Sequence, residues 1–371
     1  MKIEKNSLSP IAIVAPPGGR ELAQLVDKEL TQRRYPKNRE KSFIIRCECP
    51  RFANGEAKAV ILQSIRGCDV YVIADIGNYG CRFTIQGIES PMSPDDHFQD
   101  IKRVVAAIGG RAYRINVIMP LLYQSRQHKR TARESLDCAV SLQELQNLGV
   151  KNLITFDAHN SHVQNAVPLM GFENLHASYQ IVRSLLENEK EIIVDKNKLM
   201  VVSPDEGAVD RCLYYANSLG VELGLFYKRR DTTRIVDGKN PIVKHEFLGT
   251  SVAGKDIMIV DDMLASGQSM LMSAEELKKY GANDIYVIVT FSLLTDEGVE
   301  RFEKAYNEKL IKRVYATNLT YRNPKLKNAK WFREVDVSEF IAYFIDRFNR
   351  DESISALLDT SSKIHKFLKK H

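Results

Sequence analysis

The chain has 371 residues, of which 27% are charged and 44% hydrophobic, with 53 Lys and Arg against 47 Asp and Glu. This composition is too apolar for a disordered chain and supplies enough core for one or two globular domains. The longest apolar run near the N-terminus covers residues 11–15, whereas a spanning helix needs roughly 20 apolar residues and a signal peptide at least about 7. We therefore expect neither membrane insertion nor export.

The cysteines indicate a reducing compartment. Six of them are scattered along the chain without any Cys-x-x-Cys spacing, so a disulfide scaffold and a structural zinc site are both poorly supported. Free thiols in the cytoplasm fit this pattern better.

The net charge of +6 is unevenly distributed. Cations concentrate in four stretches, 124–133, 228–244, 307–330 and 360–371, and the remainder of the chain is net negative. Such concentration favours an anionic ligand, either nucleic acid or small phosphates, although solvated surface would explain any single stretch.

Hydrophobic patterning predicts alternating strands and helices. In chain order, the first third contains predicted strands at 11–15, 42–49, 56–62 and 69–75 and a helix at 21–33. From residue 115 onward the predicted strands are 115–120, 152–159, 199–205, 221–228, 256–262 and 284–294, separated by helices at 135–148, 177–187, 208–219, 269–280 and 298–308. Apolar strands separated by helices call for an α/β fold with mostly parallel sheets covered by helices.

The length suits two α/β units of roughly 150 residues each. We expect a first domain over 1–172 and a second over 173–345, with residues from about 346 to 371 packing back on the first. The segments 77–94, 230–244 and 315–330 match no regular element, and loops of that length are usually functional or disordered.

The strongest local signal for chemistry lies at the end of the predicted strand 256–262. Asp261 and Asp262 follow buried positions, and the small residues 265–269 then lead into a helix. Backbone N–H groups, serine hydroxyls and a helix N-terminus together form a phosphate cradle, while carboxylates suit sugar hydroxyls or a hard cation. A purely structural turn would explain Gly267 and one acid, but not two acids after a buried strand.

This stretch, 256–269, resembles the phosphoribosyl pyrophosphate motif of the type I phosphoribosyltransferase fold. Further segments occur in an order that resembles the ribose-phosphate pyrophosphokinase family over about residues 11 to 358; they are 49–56, 64–73, 123–128, 154–164, 199–208, 228–230 and 351–356. Any one of these segments is weak evidence for the family, but all of them in the same order are specific evidence.

The resemblance implies two tandem phosphoribosyltransferase-like α/β domains and an Mg²⁺-dependent enzyme. That enzyme would transfer the diphosphoryl group of ATP to the C1 hydroxyl of ribose 5-phosphate, giving phosphoribosyl pyrophosphate and AMP, and would form dimers or hexamers. By resemblance, ATP would be held by Asn54, Gly55, Glu56, Arg126 and Gln127, and ribose 5-phosphate by Asp261, Asp262, Ala265, Ser266, Gly267, Gln268 and Ser269. Mg²⁺ would be bound by His159 and Asp205, and Lys228 and Arg230 would act on the reacting phosphates.

Alternatives remain open at this point. The chain departs from the family pattern at Asn54, where the usual residue is Asp, and at Ala265 and Gln268 of the phosphate loop. A catalytically silent subunit that binds nucleotide and regulates a partner synthetase is therefore the main alternative. A phosphoribosyltransferase acting on a base would not need the first α/β unit. Nucleic-acid binding is disfavoured because no recognised module is present.

Overall fold

The protein is represented by a computed structural model that describes residues 8–38, 40–230 and 242–370. The side chains of residues 228–230 and 242–245 lie outside this description. In chain order the strands are β1 Ile11–Val14, β2 Ile44–Ile45, β3 Cys47–Glu48, β4 Val60–Ile61, β5 Asp69–Ile73, β6 Arg82–Ile85, β7 Ile88–Pro91, β8 Arg114–Ile118, β9 Asn152–Phe156, β10 Gly171–Leu175, β11 Leu199–Ser203, β12 Glu222–Arg230, β13 Ile242–Leu248, β14 Asp256–Leu264, β15 Ile285–Ser292, β16 Arg313–Thr317 and β17 Phe332–Val335. The helices are α1 Arg20–Arg34, α2 Pro94–Ile108, α3 Asp137–Asn147, α4 Ser178–Asn188, α5 Val209–Leu219, α6 Gln268–Lys279, α7 Asp296–Asn307, α8 Ser338–Asn349, α9 Ser355–Leu358 and α10 Thr360–Leu368.

Packing divides the chain into two compact units. The first takes the described residues up to His176 together with Asn318–Tyr321 and Asp336–Leu358. The second takes the described residues of Ala177–Thr317, with Arg322–Val335 and the residues from Asp359 onward. The sequence expectation divided the chain after residue 172, gave 173–345 to the second domain and assigned 346–371 to the first. The observed division differs in that Asn318–Tyr321 and most of α8 belong to the first unit, and α10 to the second. The domain boundaries stay a prediction.

The first unit is built on a six-stranded parallel sheet in the order β10-β9-β8-β5-β1-β2. Its central strand β5 is buried along its whole length, as expected for a strand covered on both faces. Helices α1 and α2 pack against this sheet, and α8 packs on α1. Two antiparallel hairpins, β3-β4 and β6-β7, stand apart from the main sheet.

The second unit contains a seven-stranded sheet in the order β13-β12-β11-β14-β15-β16-β17, parallel except for the β12-β13 pair. Helix α5 covers β11, β12 and β14, and α4 packs on β16 and β17. The last helix, α10, packs on α4 and α5, where the Thr360 hydroxyl bonds the Ser178 hydroxyl at 3.1 Å. The expected fold class, with mostly parallel sheets flanked by helices, is confirmed.

Two segments differ from the sequence expectation. The segment 77–94 contains the β6-β7 hairpin. The segment 315–330 begins inside β16, which pairs with two neighbours. Short strands beside glycine or a cluster of cations give little periodic signal, which is why patterning missed them. None of the described helices is long and apolar enough to cross a membrane.

A buried carboxylate joins three elements of the first unit. Asp69, at the start of β5, is fully buried. It accepts hydrogen bonds from Arg114 Nε and Nη2 of β8 at 2.9 and 2.7 Å and from Asn349 Nδ2 of α8 at 3.1 Å. Burial alone would raise the pKa of Asp69, but these bonds outweigh it and hold the pKa below its ordinary value. The stabilisation is therefore present at neutral pH and is lost as pH falls through the lowered pKa.

We predict that Asp69→Ala lowers the free energy of unfolding by about 3–5 kcal/mol, because it leaves the Arg114 guanidinium without its buried partner. A matched control is Asp351→Asn, which removes the charge of a second, 72% exposed carboxylate 3.1 Å from the same arginine, suits the positive φ of that position, and should cost less than about 1 kcal/mol. Urea denaturation of both variants measures the difference. Equal losses would show that the buried network does not stabilise the first unit.

Candidate active site

The acidic pair singled out by the sequence lies near the carboxyl end of β14. This strand is longer than expected, since it pairs with β15 as far as Leu264, so both acids belong to the strand itself. Asp262 is 2% exposed, and its backbone N–H donates to Asp261 Oδ1 at 2.8 Å. Two neighbouring carboxylates are therefore held at the edge of the sheet where parallel α/β folds bind ligands.

The electrostatic setting of this pair is unusual for a protein interior. The pKa of Asp261 is raised to about 7, mainly by burial and then by the charges of Asp262 and Asp205. The guanidinium of Arg211 opposes this rise, with its nitrogens 3.7 Å from Asp261 and 4.0 Å from Asp262. Arg211 thus faces both acids, and their negative charge favours hydrogen-bond donors or a cation as ligands.

Arg211 was not identified from the sequence. It occupies the first turn of α5, the helix that follows β11 and covers β14. The sequence held a clue to Arg211, because this cation lies six residues after Asp205. In the fold, α5 brings that position beside the same strand ends. Without the pairing of β11 with β14, nothing in the sequence related that position to Asp261.

Asp205 follows β11 and caps a short 3-10 turn at Glu206–Ala208. Its Oδ1 accepts the backbone N–H of Gly207 at 3.0 Å, and its backbone carbonyl accepts the Ser203 hydroxyl at 2.6 Å. Because β11 and β14 are parallel neighbours, their carboxyl ends meet at one edge of the sheet. The structure therefore brings Asp205 to the edge that carries the acidic pair.

The predicted phosphate loop turns from β14 into α6. Gly267 has φ +72°, and a Cβ there would lie 2.1 Å from Cε2 of Phe302, so both backbone conformation and space require glycine. Ser266, Gln268 and Ser269 are exposed, and Ala265 is half-buried. Helix α6 begins at Gln268, which points its first-turn N–H groups toward the loop and favours an anion. All five predicted loop residues lie in this short segment.

The predicted nucleotide turn in the first unit is closed by its own hydrogen bonds. Asn54 Nδ2 donates to Glu56 Oε2 at 2.9 Å, and the Glu56 N–H donates to Asn54 Oδ1 at 3.2 Å. Gly55 adopts φ +93° between them. The side chains of Asn54 and Glu56 are exposed, so they are accessible to a ligand.

A second predicted group lies beyond β8 and β9. Gln127 donates from Nε2 to the carbonyl of Ser135 at 2.8 Å, while Arg126 is exposed. The next residue, His128, has its ring 5.5 Å from that of His159. Burial lowers the pKa of His128, and His159 lowers it further. The segment carrying Arg126 and Gln127 is therefore brought beside His159.

Two sets of predicted residues are not brought into one described cluster. His159 belongs to the first unit and Asp205 to the second, and the described residues hold no group of three or more His, Cys, Asp or Glu side chains arranged for a metal. Lys228 and Arg230 lie at the end of β12, where the backbone pairs with β13. Their side chains, and residues 231–241, are outside the described part of the chain.

Known families match both halves of the chain. A family model for the N-terminal domain of ribose phosphate pyrophosphokinase matches residues 11–149, and one for the phosphoribosyl synthetase-associated domain matches residues 232–359. The chain belongs to the ribose-phosphate pyrophosphokinase family. The family resemblance stated from the sequence motifs is thereby confirmed.

Individual relatives of this pyrophosphokinase family member align over most of their length. Ribose-phosphate pyrophosphokinase 2 of Enterococcus faecalis is 28% identical over 86% of this chain and 90% of its own. Ribose-phosphate pyrophosphokinase 1 of Candida albicans is also 28% identical, over 95% and 98%. The crystal structure of phosphoribosylpyrophosphate synthetase from Mycobacterium smegmatis covers 92% of this chain and 99% of its own, with a TM-score of 0.75 and 22% identity. That likeness supports the fold.

The crowding of acids at the end of β14 can be tested directly in this pyrophosphokinase family member. Asp262→Asn keeps the side-chain shape and removes one negative charge, so we predict that it lowers the pKa of Asp261, while burial still keeps that pKa above the ordinary range. Carbon-13 NMR of the aspartate carboxyls measures the titration, with Asp261→Asn identifying the signal. Asp210→Asn removes the same charge from an exposed position beside Arg211 and should leave the pKa unchanged. Equal effects of the two variants would contradict the crowding.

Proposed function

We propose that this chain is an active ribose-phosphate pyrophosphokinase. It would transfer the diphosphoryl group of ATP to the C1 hydroxyl of ribose 5-phosphate, giving phosphoribosyl pyrophosphate and AMP. The activity for which its relatives are named supports this reaction, and so does the chemistry of the residues that this chain carries. We further propose that it acts in the cytoplasm as a homo-oligomer, either a dimer or a hexamer, with no nucleic-acid partner.

The observation that carries the proposal is the pairing of two acids with a helix N-terminus in the second unit. Asp261 and Asp262 lie on β14 immediately before the loop that opens α6. A ligand that fits must offer hydroxyl donors to the carboxylates and an anion to the helix N-terminus. A pentose phosphate has both at the required separation of a few bonds. We assign its hydroxyls to Asp261, with Asp262 beside it, and its phosphate to Ala265, Ser266, Gly267, Gln268 and Ser269.

We assign ATP to the first unit. The exposed side chains of Asn54 and Glu56, on either side of Gly55, offer an amide and a carboxylate for hydrogen bonds to a nucleoside. Arg126 supplies a positive charge for phosphate, and the half-buried Gln127 supplies an amide that already bonds within its own loop. This assignment leaves the basic stretch 124–133 as the surface that attracts the triphosphate.

The negative charges of the acids at the strand ends of the second unit suit a magnesium ion. Asp205 adds its negative charge to the acidic pair and helps to raise the pKa of Asp261, so a divalent cation held there would relieve that repulsion. We propose Asp205 and His159 as its ligands, the carboxylate oxygen being the donor that Mg²⁺ prefers. When bound, the ion neutralises negative charge on the phosphates.

We propose Lys228 and Arg230 as the residues that stabilise charge on the transferring group. Diphosphoryl transfer depends mainly on positioning and on neutralisation of charge rather than on covalent help from the protein. A lysine and an arginine at the start of a basic segment suit that task. Ordering such a segment over bound substrates would also exclude water and limit hydrolysis of ATP.

We predict that the full-length protein, given ATP, ribose 5-phosphate and Mg²⁺, releases AMP stoichiometrically with phosphoribosyl pyrophosphate, as measured by ion-exchange chromatography of the nucleotides. Lys228→Ala should abolish turnover and leave the affinity for ribose 5-phosphate unchanged. Lys279→Ala removes a surface lysine that pairs only locally with Glu276 and should keep full activity.

Release of ADP instead of AMP would exclude the proposed reaction. Binding of both substrates without any turnover would instead support the regulatory, catalytically silent subunit. If Lys228→Ala failed to fold, a structural role for that lysine would replace the catalytic one.

A further inference from the structure

The β6-β7 hairpin packs on the proposed nucleotide turn, which we define as residues 51–57. The hairpin turns tightly at Gln86 and Gly87, both with positive φ, a geometry that matches strand twist. Its ends are close, because the Met92 N–H donates to the Cys81 carbonyl at 2.8 Å. The hairpin forms a separate two-stranded sheet, so its position depends on what it packs against.

One face of the hairpin is directed at the nucleotide turn. Along β6 the side chains alternate, with Phe83 and Ile85 half-buried and Arg82 and Thr84 exposed, as the period of a strand requires. The side chain of Ile85 lies so close to Gly55 that a Cβ on that glycine would be 2.9 Å from Ile85 Cδ1.

Two further contacts join the hairpin to the same turn. The Gln86 N–H donates to the Ala53 carbonyl at 3.1 Å. The guanidinium of Arg51 lies 5.2 Å from the centre of the Phe83 ring, within the range of a cation–π interaction. The apolar contact, the backbone hydrogen bond and the ring contact thus reach three successive parts of the turn.

The turn is also fixed to helix α2. Arg51 Nη2 donates to Asp100 Oδ2 at 2.9 Å, and that carboxylate is 1% exposed. Arg51 also pairs through its backbone with Ala57. The turn is therefore held by a buried ion pair to α2 and by its contacts with the hairpin, while Asn54 and Glu56 stay exposed.

We propose that the β6-β7 hairpin is a positioning element for ATP, with Ile85 as its principal residue. The inference rests on the proposed function, since it concerns the turn assigned to nucleotide. Ile85 does not itself contact the ligand; it packs against Gly55, the residue whose missing Cβ gives the turn its conformational freedom, and so adds to the restriction by the turn's own hydrogen bonds. If the turn is already held in its binding conformation, the apparent affinity for ATP is not reduced by turns that adopt other conformations.

Steady-state kinetics of the full chain tests this role. For Ile85→Ala we expect the KM for ATP to rise about ten-fold, as follows if the turn then adopts the binding conformation only about a tenth of the time. The KM for ribose 5-phosphate and kcat should not change, and Ile85→Leu should restore the KM for ATP. A matched control is Ile88→Ala, which makes the same change in the same hairpin at a side chain that is 70% exposed.

A second variant tests the same role if Ile85→Ala does not fold. Because Cys81 and Met92 are adjacent, residues 82–91 can be replaced by Gly-Gly without separating the ends. This excision should raise the KM for ATP at least as much as Ile85→Ala and leave calorimetric binding of ribose 5-phosphate intact.

The outcomes separate the two proposals. An unchanged KM for ATP in both variants, with an active parent protein, overturns the positioning role and leaves the proposed function standing. Parallel losses for both substrates would mean a structural role and would also overturn it. No AMP from the unmodified protein would refute the proposed function instead.

Discussion

The acidic pair at the end of β14 is the constraint on which the rest of the second unit depends. Placing Asp262 at 2% exposure beside Asp261 is costly, because neither charge keeps its hydration and each repels the other. Arg211 lies 3.7 to 4.0 Å away and opposes this effect, but the pKa of Asp261 still stays raised to about 7. A strand that served stability alone would gain from an apolar residue here, so the arrangement indicates a site that binds donors or cations.

That constraint explains the neighbouring backbone. Gly267 is needed because the loop must turn within van der Waals contact of Phe302 before α6 begins. The turn places the N-terminus of α6, which attracts an anion, next to two carboxylates, which attract hydrogen-bond donors or a cation. A sugar phosphate has the complementary pattern of hydroxyls and anion, whereas a simple anion would be repelled by the acids.

Much of this could be predicted from the sequence, and the remainder had physical reasons for being missed. Continuous apolar strands ending in acids predicted the parallel sheets, the strand-end position of Asp261 and the turn at Gly267. Arg211 was missed because its relation to Asp261 depends on strand order, which local patterning does not contain. The β6-β7 hairpin was missed because only Phe83 and Ile85 alternate with polar residues. Lys228 and Arg230 stay predictions, as do the metal ligands.

The basic stretches also gain distinct explanations. In the stretch 307–330, Lys312 bonds Asp284 at 2.6 Å, and Lys325 lies 3.1 Å from Asp296, so these cations have partners within the second unit. The C-terminal stretch belongs largely to α10, whose buried Ile364 faces α4 and α5. The stretches 124–133 and 228–244 stay the proposed contacts for the phosphates of the substrates. The overall charge of +6 therefore does not by itself indicate a nucleic-acid partner.

In the proposed function, the acidic pair holds sugar hydroxyls while the neighbouring loop holds phosphate. Isothermal titration calorimetry of Asp261→Asn with ribose 5-phosphate, and separately with inorganic phosphate, tests it most directly. The account predicts that affinity for ribose 5-phosphate falls about ten-fold or more, since a charge-assisted hydrogen bond contributes about 1.5–3 kcal/mol, while affinity for phosphate is kept or improved. Unchanged affinity for ribose 5-phosphate would contradict the account.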